Sequence, residues 1–571
     1  MAVQADNGGD GCGPREVERA ARACLAEGRP AEARGLLAAY LEKVPEAYEL
    51  RCLLGYLFQH EGRYREAETC YETALAIAPP SRELFHNLGL VKLRLGDVAA
   101  ARDYFAKALA VGGEVVETLD ELAAACLQQG DVAGALGCYE RLLKIDPHHV
   151  RAYVGMAEAF ADAGWEADAT RSFETALAIA PDDVEALNGL GIVCKRLGDY
   201  EQAMRLFERA LALSPGEPAL LRNKAMLCSL LGRQDEAEAI FRQLLARDPE
   251  DADAHFCLAC TYLISGRFRD GWREYEYRWH SKERDGAVKM PTSALPRWSG
   301  QPVNEAGSGL VIYAEQGFGD GIQFARYVPL VAKRFSKILL HTRKPLLSLF
   351  RRSFAQYAEV VAEMPDERGY THHCPLLSLP LAFDTRLETI PADFPYLMPD
   401  PGRIGRWRQC LAGERRLKVG IAWATGKRGL HKRSFELAPE LLEPLFGAAD
   451  VAWVSLNKEA LDERQREILE RNRVADWSAE LADFDDTAAL MCVLDLVISV
   501  DTAAAHLAGA LDRPVWLLNR AESEWRWLLE RSDSPWYRSM RIFRQQNPRQ
   551  WEGVLHEVAG ALGAWVAERQ A

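Results

Sequence analysis

The sequence predicts two architectures in one chain: an α-solenoid of short repeats, followed by an α/β region of two lobes. Three observations carry this prediction. Glycine recurs every 34 residues from Gly28 to Gly266. Short apolar runs that alternate with helical segments begin after residue 308. Of the 14 tryptophans only Trp165 precedes residue 272, so the composition changes where the architecture is expected to change.

The bulk composition bounds the function classes. At 571 residues the chain is too long for one hydrophobic core, and its net charge of −14 argues against nucleic acid or an anionic membrane as the main partner. The first twelve residues form no basic, apolar leader, and no run of 18 apolar residues occurs. We therefore expect neither a signal peptide nor a membrane span. The odd number of cysteines, 13, is typical of a reducing cytoplasm rather than of a disulfide framework.

Three residue columns share the 34-residue step. Glycine stands at 28, 62, 96, 130, 164, 198, 232 and 266, and alanine stands at 33, 67, 101, 135, 169, 203 and 237, with Gly271 in the eighth place. Proline stands at 45, 79, 147, 181, 215 and 249, with Gly113 replacing it once. Each unit therefore reads as a helix, a glycine turn and a second helix that ends at proline. The pattern resembles the tetratricopeptide repeat and predicts a flexible tail over residues 1–16 and eight repeats over residues 17–281.

This resemblance implies a concave surface that holds a segment of an acceptor protein. Asn87, Asn188 and Asn223 lie in first helices near inward-facing positions, where they would grip a peptide backbone or simply form ordinary polar surface. Cys257 and Cys260 form a CxxC pair inside a repeat helix. A metal or redox role would need a second pair or a strand–turn context, and neither is present, so we expect none.

The C-terminal half is predicted to contain two strand–helix lobes after a linker over residues 282–308. Strands are expected at 309–315, 337–342, 359–362, 417–423, 451–456, 494–500 and 514–518, and a helix at 322–334. Alternating strands and helices favour mainly parallel sheets. The lobes, residues 309–405 and 406–571, would leave a cleft at the carboxyl ends of their strands, where ligands bind. The layout resembles a GT-B glycosyltransferase with two facing Rossmann-like lobes.

The stretch 494–516 reads as a buried strand, a sharp turn and a helix of small residues. The helix start presents unpaired N–H groups, so the backbone of Thr502, Ala503 and the next alanine would receive a donor phosphate. Asp501 would repel phosphate, and we assign it to ribose hydroxyls or to capping. His506 lies on the same helix face as Thr502, where it would bond donor phosphate or sugar, or else be a satisfied core histidine.

Four strings carry a family resemblance: AEQGFGDGIQFARYVPLV, KVGIAWATG, DFDDTAALMCVLDLVISVDTAAAHLAGALDRPVW and WRWLLERSDSPWYRSMRIFRQ. Together they resemble bacterial tetratricopeptide-repeat glycosyltransferases, whose catalytic half is similar to the heptosyltransferases. The plan of repeats plus two lobes also resembles the protein O-GlcNAc transferases. Some bacterial relatives modify flagellin with nonulosonic acids such as pseudaminic acid. The resemblance implies transfer of a sugar from a nucleotide donor, with inversion, to a protein that the repeats capture.

The resemblance also assigns a candidate base. In the heptosyltransferases the aspartate of the glycine–aspartate loop is the proposed base, so Asp320 takes that role here, and Gly317 and Gly319 are assigned to the donor site with it. A helix N-cap is the alternative role for Asp320, and both can hold. A dinucleotide fingerprint fails, because the third glycine of GxGxxG would fall at Ile322.

Three further segments are assigned to the donor. Lys427 and Arg433 belong to a run of five basic residues within seven, which suits a phosphorylated or carboxylated donor, unless the run is a solvated loop. Asn457 follows a strand of the same lobe. Trp525 and Arg526 would stack a base or sugar and pair with an anion, with core packing as the alternative for the tryptophans 525 and 527.

Two departures from the relatives fall beside this site: the shortened string GKRGLHKRSFEL, and Ser523–Glu524 where relatives usually have proline–aspartate. They leave open a scaffold with an inactive transferase module, and a glycan-directed enzyme is a further alternative. Asp483, Asp485 and Asp486 contain an Asp-x-Asp spacing, but they precede a helix and read as caps. We therefore expect no metal and no cofactor, and the nucleotide-sugar is expected as a co-substrate.

Overall fold

The computed structural model of the chain describes residues 13–79, 81–281, 290–303, 307–363, 366–424, 437, 439–458, 461–548 and 550–571. The fold divides into two compact units, Met1–Val193 and Cys194–Ala571. The predicted fold class is confirmed, because helical repeats are followed by a region of parallel sheets and helices. No helix among the described residues is long and apolar enough to cross a membrane.

The first unit consists of helix pairs that pack against each other and against the next pair. Its helices are α1 Pro14–Ala26, α2 Pro30–Lys43, α3 Tyr48–His60, α4 Tyr64–Ile77, α5 Arg82–Arg94, α6 Val98–Gly112, α7 Val116–Gln128, α8 Val132–Ile145, α9 Val150–Ala163, α10 Glu166–Ile179 and α11 Val184–Leu197, the last of which contains the division. Helix α1 begins at Pro14, so the predicted tail of residues 1–16 is shorter by the three residues that the helix includes.

The second unit begins with the remaining repeat helices. These are α12 Tyr200–Leu213, α13 Pro218–Leu230, α14 Gln234–Arg247, α15 Ala252–Ile264 and α16 Phe268–Glu274, followed by a 3-10 helix, Tyr275–Trp279. In both units the glycine and alanine columns are explained by backbone conformation and by helix packing.

The eight column glycines all have positive φ, between 73° and 85°, which glycine tolerates without strain. The seven column alanines are fully buried between paired helices. Gly271 takes the eighth place because a Cβ there would lie 2.6 Å from Leu263 Cγ.

The first lobe of the C-terminal half is a four-stranded parallel sheet in the order β3-β2-β1-β4. Its strands are β1 Gly309–Tyr313, β2 Lys337–His341, β3 Glu359–Val361 and β4 His372–Pro375. Its helices are Phe318–Phe324, Val328–Val331, Leu347–Ser353 and Leu379–Ala382, with 3-10 turns at Ala325–Tyr327, Lys344–Leu346, Leu376–Ser378 and Leu387–Thr389. The single helix predicted for 322–334 is therefore broken into short turns, and Pro329 lies at the start of the last of them.

The second lobe is a six-stranded parallel sheet in the order β10-β9-β8-β5-β6-β7. Its strands are β5 Leu417–Ala422, β6 Val451–Ser455, β7 Ala475–Asp476, β8 Leu496–Val500, β9 Val515–Asn519 and β10 Met540–Arg544. Its helices are Glu443–Phe446, Glu463–Arg471, Phe484–Met491, Ala503–Ala510 and Glu552–Gln570, with 3-10 turns at Pro439–Leu442, Ser478–Glu480 and Trp525–Trp527. The helix Pro401–Cys410 joins the two lobes.

Part of the predicted linker packs on the first lobe. Trp298 is 2% exposed, and its ring meets those of Phe335 and Phe383 at centroid distances of 5.2 and 5.4 Å. Arg297 pairs with His373 in an isolated parallel bridge. The segment 290–303 is thus an integral part of the lobe, which the proline-rich composition did not indicate.

Candidate functional site

The strand–turn–helix unit around residue 500 is formed as the sequence predicts. Strand β8 is buried along its whole length and ends at Val500. Thr502 is the N-cap of the helix Ala503–Ala510, and its Oγ1 accepts a hydrogen bond from the Ala504 N–H at 3.2 Å. The Ala503 N–H has no acceptor within the described residues. The Thr502 side chain therefore satisfies one N–H group of the helix start, and the Ala503 N–H remains available to a ligand at the carboxyl edge of the sheet.

Asp501 and His506 lie next to each other in the interior at this helix start. Asp501 Oδ1 and His506 Nε2 are 3.9 Å apart. Burial, followed by the nearby carboxylate of Glu524, raises the pKa of Asp501 to about 6. Burial lowers the pKa of His506 well below its usual value, so the imidazole is neutral. Its Nδ1 lies 2.9 Å from the Tyr537 hydroxyl.

The glycine–aspartate loop of the first lobe contacts this helix directly. Gly317 is the N-cap of the helix Phe318–Phe324, and its N–H donates to Asp320 Oδ2 at 2.9 Å. Asp320 is therefore not the N-cap that the sequence left open; it is the third residue of the helix, and its carboxylate accepts from the N–H of the N-cap Gly317. A Cβ at Gly319 would lie 2.8 Å from His506 Cδ2. Glycine is required here because the loop of one lobe reaches the helix of the other.

Arg526 joins the two lobes at the same point. Its guanidinium forms an ion pair with Asp320 and another with Glu524, and its Nε donates to Gln323 Oε1 at 2.8 Å. The arginine is 6% exposed. Burial acts to lower the pKa of Arg526, but the carboxylates of Asp320 and Glu524 outweigh it and raise that pKa. The structure thus brings the candidate base and the candidate anion partner into direct contact.

The tryptophans beside Arg526 lie in an aromatic cluster. Trp525 is 7% exposed, and its ring centroid is 5.3 Å from that of Trp272 on the last repeat helix. Trp527 is fully buried and lies 5.2 Å from the His506 ring. The Arg526 guanidinium lies over the Trp525 ring at 4.3 Å. Core packing, the alternative held open from the sequence, describes both rings in this structure.

Asn457 lies at the carboxyl end of β6. Its Oδ1 accepts from the Trp423 and Ala424 N–H groups at 3.3 and 3.2 Å, so it holds the end of β5 in place. Its Nδ2 is buried and has no partner within the described part of the chain. Lys427 and Arg433, the basic residues assigned to the donor, lie outside the described residues.

The acidic triplet binds arginines. Asp483 caps the helix Phe484–Met491, accepting from two backbone N–H groups at 3.0 Å, and pairs with Arg403 at 2.6 Å. Asp485 pairs with Arg352 of the first lobe at 2.6 Å. Among the described residues no group of His, Cys, Asp or Glu side chains could hold a metal ion. The triplet therefore links the lobes through charge pairs.

The residues assigned to the acceptor protein are half-buried in first helices: Asn87 in α5, Asn188 in α11 and Asn223 in α13. Their role in binding a peptide stays a prediction. The cysteines at 257 and 260 lie in α15 as thiols, not in a disulfide, and burial raises the pKa of Cys260 to about 12, which suits a packed rather than a reactive thiol.

Sequence reasoning missed several residues of the site. Gln323 lies three residues after Asp320, a helical spacing that was the available signal, and Arg326 lies three residues further on; both are buried. Arg326 Nη1 donates to the Trp536 carbonyl of the second lobe at 2.7 Å. Arg278 of the last repeat pairs with the buried Glu315 at 2.9 Å, a contact between distant segments that no local pattern indicates.

Comparisons with known families match the repeats and part of the second lobe. Tetratricopeptide repeat models match residues 44–112, 86–150, 121–169, 149–216 and 196–256. A model described as glycosyltransferase family 9 (heptosyltransferase) matches residues 450–555, which contain strands β6 to β10, Asp501, Thr502 and Arg526. The family match therefore covers the part of the second lobe to which the sequence assigns the donor.

One curated relative is Protein FlbA of Caulobacter vibrioides, which is 30% identical over 349 residues. The alignment covers 56% of this chain and 56% of that protein, so the chain spans about half the length of the relative that it matches. Among solved structures, a tetratricopeptide repeat protein from Parabacteroides merdae is 22% identical, with a TM-score of 0.37 over 41% of this chain and 94% of that one. YrrB, a repeat protein described as having an unusual peptide-binding site, is 19% identical, with a TM-score of 0.29 over 33% of this chain and 97% of that one. The chain therefore joins tetratricopeptide repeats to a heptosyltransferase-like half, which is the architecture of a tetratricopeptide-repeat glycosyltransferase.

Proposed function

We propose that this protein is a protein O-glycosyltransferase that transfers a sugar from a nucleotide donor to Ser or Thr of an acceptor protein. The observation that carries the proposal is the meeting of the Asp320 loop with the start of the helix Ala503–Ala510, where Gly319 touches His506. Glycosyl transfer needs a base, a phosphate site and charge relief for the leaving nucleotide. This point of contact offers all three within one set of packed elements.

The proposed chemistry is a single displacement with inversion. The acceptor hydroxyl oxygen attacks the anomeric carbon as Asp320 removes its proton. The bond between that carbon and the phosphate oxygen breaks, and the nucleotide leaves with the electron pair. The helix start at Thr502 and Ala503 stabilises the leaving phosphate through backbone N–H groups and the helix dipole, so the proposal includes no metal.

The acceptor side of the proposal rests on the repeats, which typically bind protein segments. Flagellin is the proposed acceptor, in the cytoplasm, by analogy with the related transferases that modify flagellin. A nonulosonic acid is the proposed sugar, because its carboxylate together with the donor phosphate would suit an arginine at the site. Asn87, Asn188 and Asn223 are proposed to grip the backbone of the captured segment.

The test is intact-mass analysis of flagellin co-expressed with this chain or its variants. A sugar mass on flagellin is expected with the wild-type chain and at most a trace with Asp320→Asn. Asp366→Asn is the matched control, because Asp366 is an exposed aspartate of the same lobe that pairs with Arg368 at 2.6 Å. A sugar mass of undiminished yield with Asp320→Asn would remove Asp320 as the base, and no added mass with the wild-type chain would remove flagellin as the acceptor.

A scaffold is the second candidate, and one observation favours it: the candidate base is ion-paired with Arg526, a geometry that an inactive module could also keep. Binding of nucleotide-sugars distinguishes the transferase from the scaffold. A transferase binds nucleotide-sugars through the second lobe, whereas a scaffold binds partner proteins only. Titration of the full chain with UDP-, GDP- and CMP-sugars, read by calorimetry, would support the scaffold if no heat of binding were seen for any class.

A further inference from the structure

Arg526 is buried between the lobes, and its ligands come from both of them. Asp320 and Gln323 belong to the first lobe, whereas Glu524 belongs to the second. The Gln323 side chain is fully buried, and its Nε2 has no partner among the described residues. A buried amide N–H without an acceptor is costly, and such groups often mark a position that a ligand or ion fills.

The pair with Arg526 obstructs the proposed role of Asp320. Its Oδ2 accepts the Gly317 N–H at 2.9 Å, and its Oδ1 accepts from the guanidinium. A base must direct a free lone pair at the hydroxyl proton that it removes. Each oxygen of Asp320 already accepts from one donor. Opening of the pair frees the position at Oδ1 that the guanidinium now holds and makes it available to the hydroxyl proton.

A phosphate or carboxylate group is the ligand best suited to open it. A guanidinium fork binds planar or tetrahedral oxyanions through two parallel hydrogen bonds, and these charge-assisted bonds are stronger than those between neutral groups. In this structure the fork is shared between two carboxylates rather than held by one in bidentate geometry. The Gln323 Nε2 has no partner among the described residues, and the helix that contains Gln323 packs on the helix Ala503–Ala510, so both add donors to this region.

We propose that Arg526 is a latch operated by an anion: it occupies Asp320 while the site is empty and transfers to an oxyanion of the donor when the donor binds, which frees Asp320. This inference rests on the proposed function for the role of Asp320 as a base. The latch couples base activation to donor binding, so that an empty site keeps the base occupied. Arg526 acts in this scheme as a positioning residue for the base and as the residue that recognises the donor anion.

Inorganic diphosphate is the probe, because it presents the oxyanions without committing to a sugar or nucleotide. Isothermal calorimetry at constant ionic strength compares the full-length wild type with Asp320→Asn, Arg526→Gln and the double variant. Removal of the competing carboxylate is expected to tighten diphosphate binding by about tenfold in Asp320→Asn, which is about 1.4 kcal/mol. The same substitution made in the Arg526→Gln background is expected to leave diphosphate binding within about twofold of Arg526→Gln alone.

The double variant separates the latch from a general charge effect. Loss of a carboxylate makes any nearby site more attractive to anions, but that effect persists without Arg526, whereas release of the latch does not. Asp512→Asn is the matched control, since Asp512 pairs with Arg538 just beyond the opposite end of the helix Ala503–Ala510. It makes the same charge change and is expected to alter diphosphate binding by less than about twofold.

Two results would overturn the latch: no tightening in Asp320→Asn, or a tightening that survives in the Arg526→Gln background. Circular dichroism checks that each variant is folded. If Arg526→Gln is unfolded, Arg526→Lys replaces it, and the gain from Asp320→Asn should then fall to below about threefold, because lysine lacks the bidentate fork. Diphosphate binding is read without sugar transfer, so failure of the latch is distinguishable from failure of the proposed activity.

Discussion

Replacement of Trp272 by alanine should loosen the segment that holds Arg526, although Trp272 belongs to a repeat helix. The residue is 1% exposed. Its ring meets five others at centroid distances between 5.3 and 6.4 Å, from the last repeat and from both lobes: Phe268, Tyr275, Phe324, Trp525 and Trp536. Removal of this ring leaves a cavity where three parts of the second unit converge.

The magnitude follows from burial and from the lost ring contacts. Truncation of a buried tryptophan or phenylalanine to alanine typically costs about 3–5 kcal/mol of unfolding free energy. Trp272→Phe should cost less, about 1–2 kcal/mol, because it keeps much of the ring volume. No hydrogen bond is lost in that change, since the Trp272 Nε1 has no partner among the described residues. The two substitutions therefore differ in the ring volume that they remove and not in polar contacts.

Urea unfolding of the full chain, with hydrogen exchange of the amides in 525–537, measures both effects. Trp272→Ala should lower the unfolding free energy by about 3–5 kcal/mol and speed exchange of that segment. Trp165→Ala is the control, because Trp165 is 48% exposed and its loss should cost less than about 0.5 kcal/mol. A loss below about 1 kcal/mol for Trp272→Ala, or unchanged exchange at 525–537, would refute the view that this ring supports the Arg526 segment.

Three further predictions concern the site. Burial raises the pKa of Asp501 to about 6, so the stability linked to its protonated form is present below about pH 4 and is lost as the pH rises through 6. Asparagine cannot ionise and avoids this loss. When the pH is raised from 4 to 8, the unfolding free energy of Asp501→Asn, measured by urea unfolding, should therefore increase by on the order of 2–3 kcal/mol relative to that of the wild type. Tyr537→Phe removes the hydroxyl 2.9 Å from His506 Nδ1 and should cost about 1–3 kcal/mol in thermal unfolding, whereas an unchanged melting temperature would mean that the imidazole finds another partner. Gly319→Ala should cost about 1–3 kcal/mol and weaken diphosphate binding, since its Cβ would lie 2.8 Å from His506, whereas Gly405→Ala, with open space around it, should do neither.

The repeats could be predicted from the sequence because each column has a local cause. A glycine at positive φ and an alanine between paired helices are required in every repeat, so the period is visible without the fold. Strand β10, MRIFR, was missed because arginines interrupt its apolar pattern, and the segment His372–Pro375 lacks an apolar run altogether. Their places in the sheets come from tertiary packing, which overrides local propensity.

The site was only partly predictable for a similar reason. The carboxyl-edge rule places the Asp320 loop and the start of the helix after Val500 at sheet edges, and the structure brings them into contact. The ion pair between Asp320 and Arg526 joins residues 206 positions apart across two lobes. Such a pair depends on the packing of the lobes, so no periodicity or spacing in the sequence indicates it. The sequence could not decide whether Trp525 stacks on a ligand or packs in the core, for the same reason. The deciding contact is with Trp272 of the last repeat, which lies far away in the sequence.

The last repeat belongs structurally to the C-terminal half, and this changes where the chain can be divided. The sequence suggests a separation near residue 281, but Trp272 lies in the aromatic cluster and Arg278 pairs with Glu315 in the interior. A chain that lacks residues 1–280 would expose that cluster and leave Glu315 buried without its cation, which typically costs about 3–5 kcal/mol on its own. A chain that begins at Val184, the first residue of α11, keeps the second unit whole, so it should unfold cooperatively and bind diphosphate as the full chain does. If a chain that lacks residues 1–280 bound diphosphate as well as the full chain, the last repeat would be a detachable adaptor. If it did not, the last repeats and the two lobes form one folding unit from residue 194 onward, and a protein segment bound near the last repeat would lie next to the elements that position Arg526.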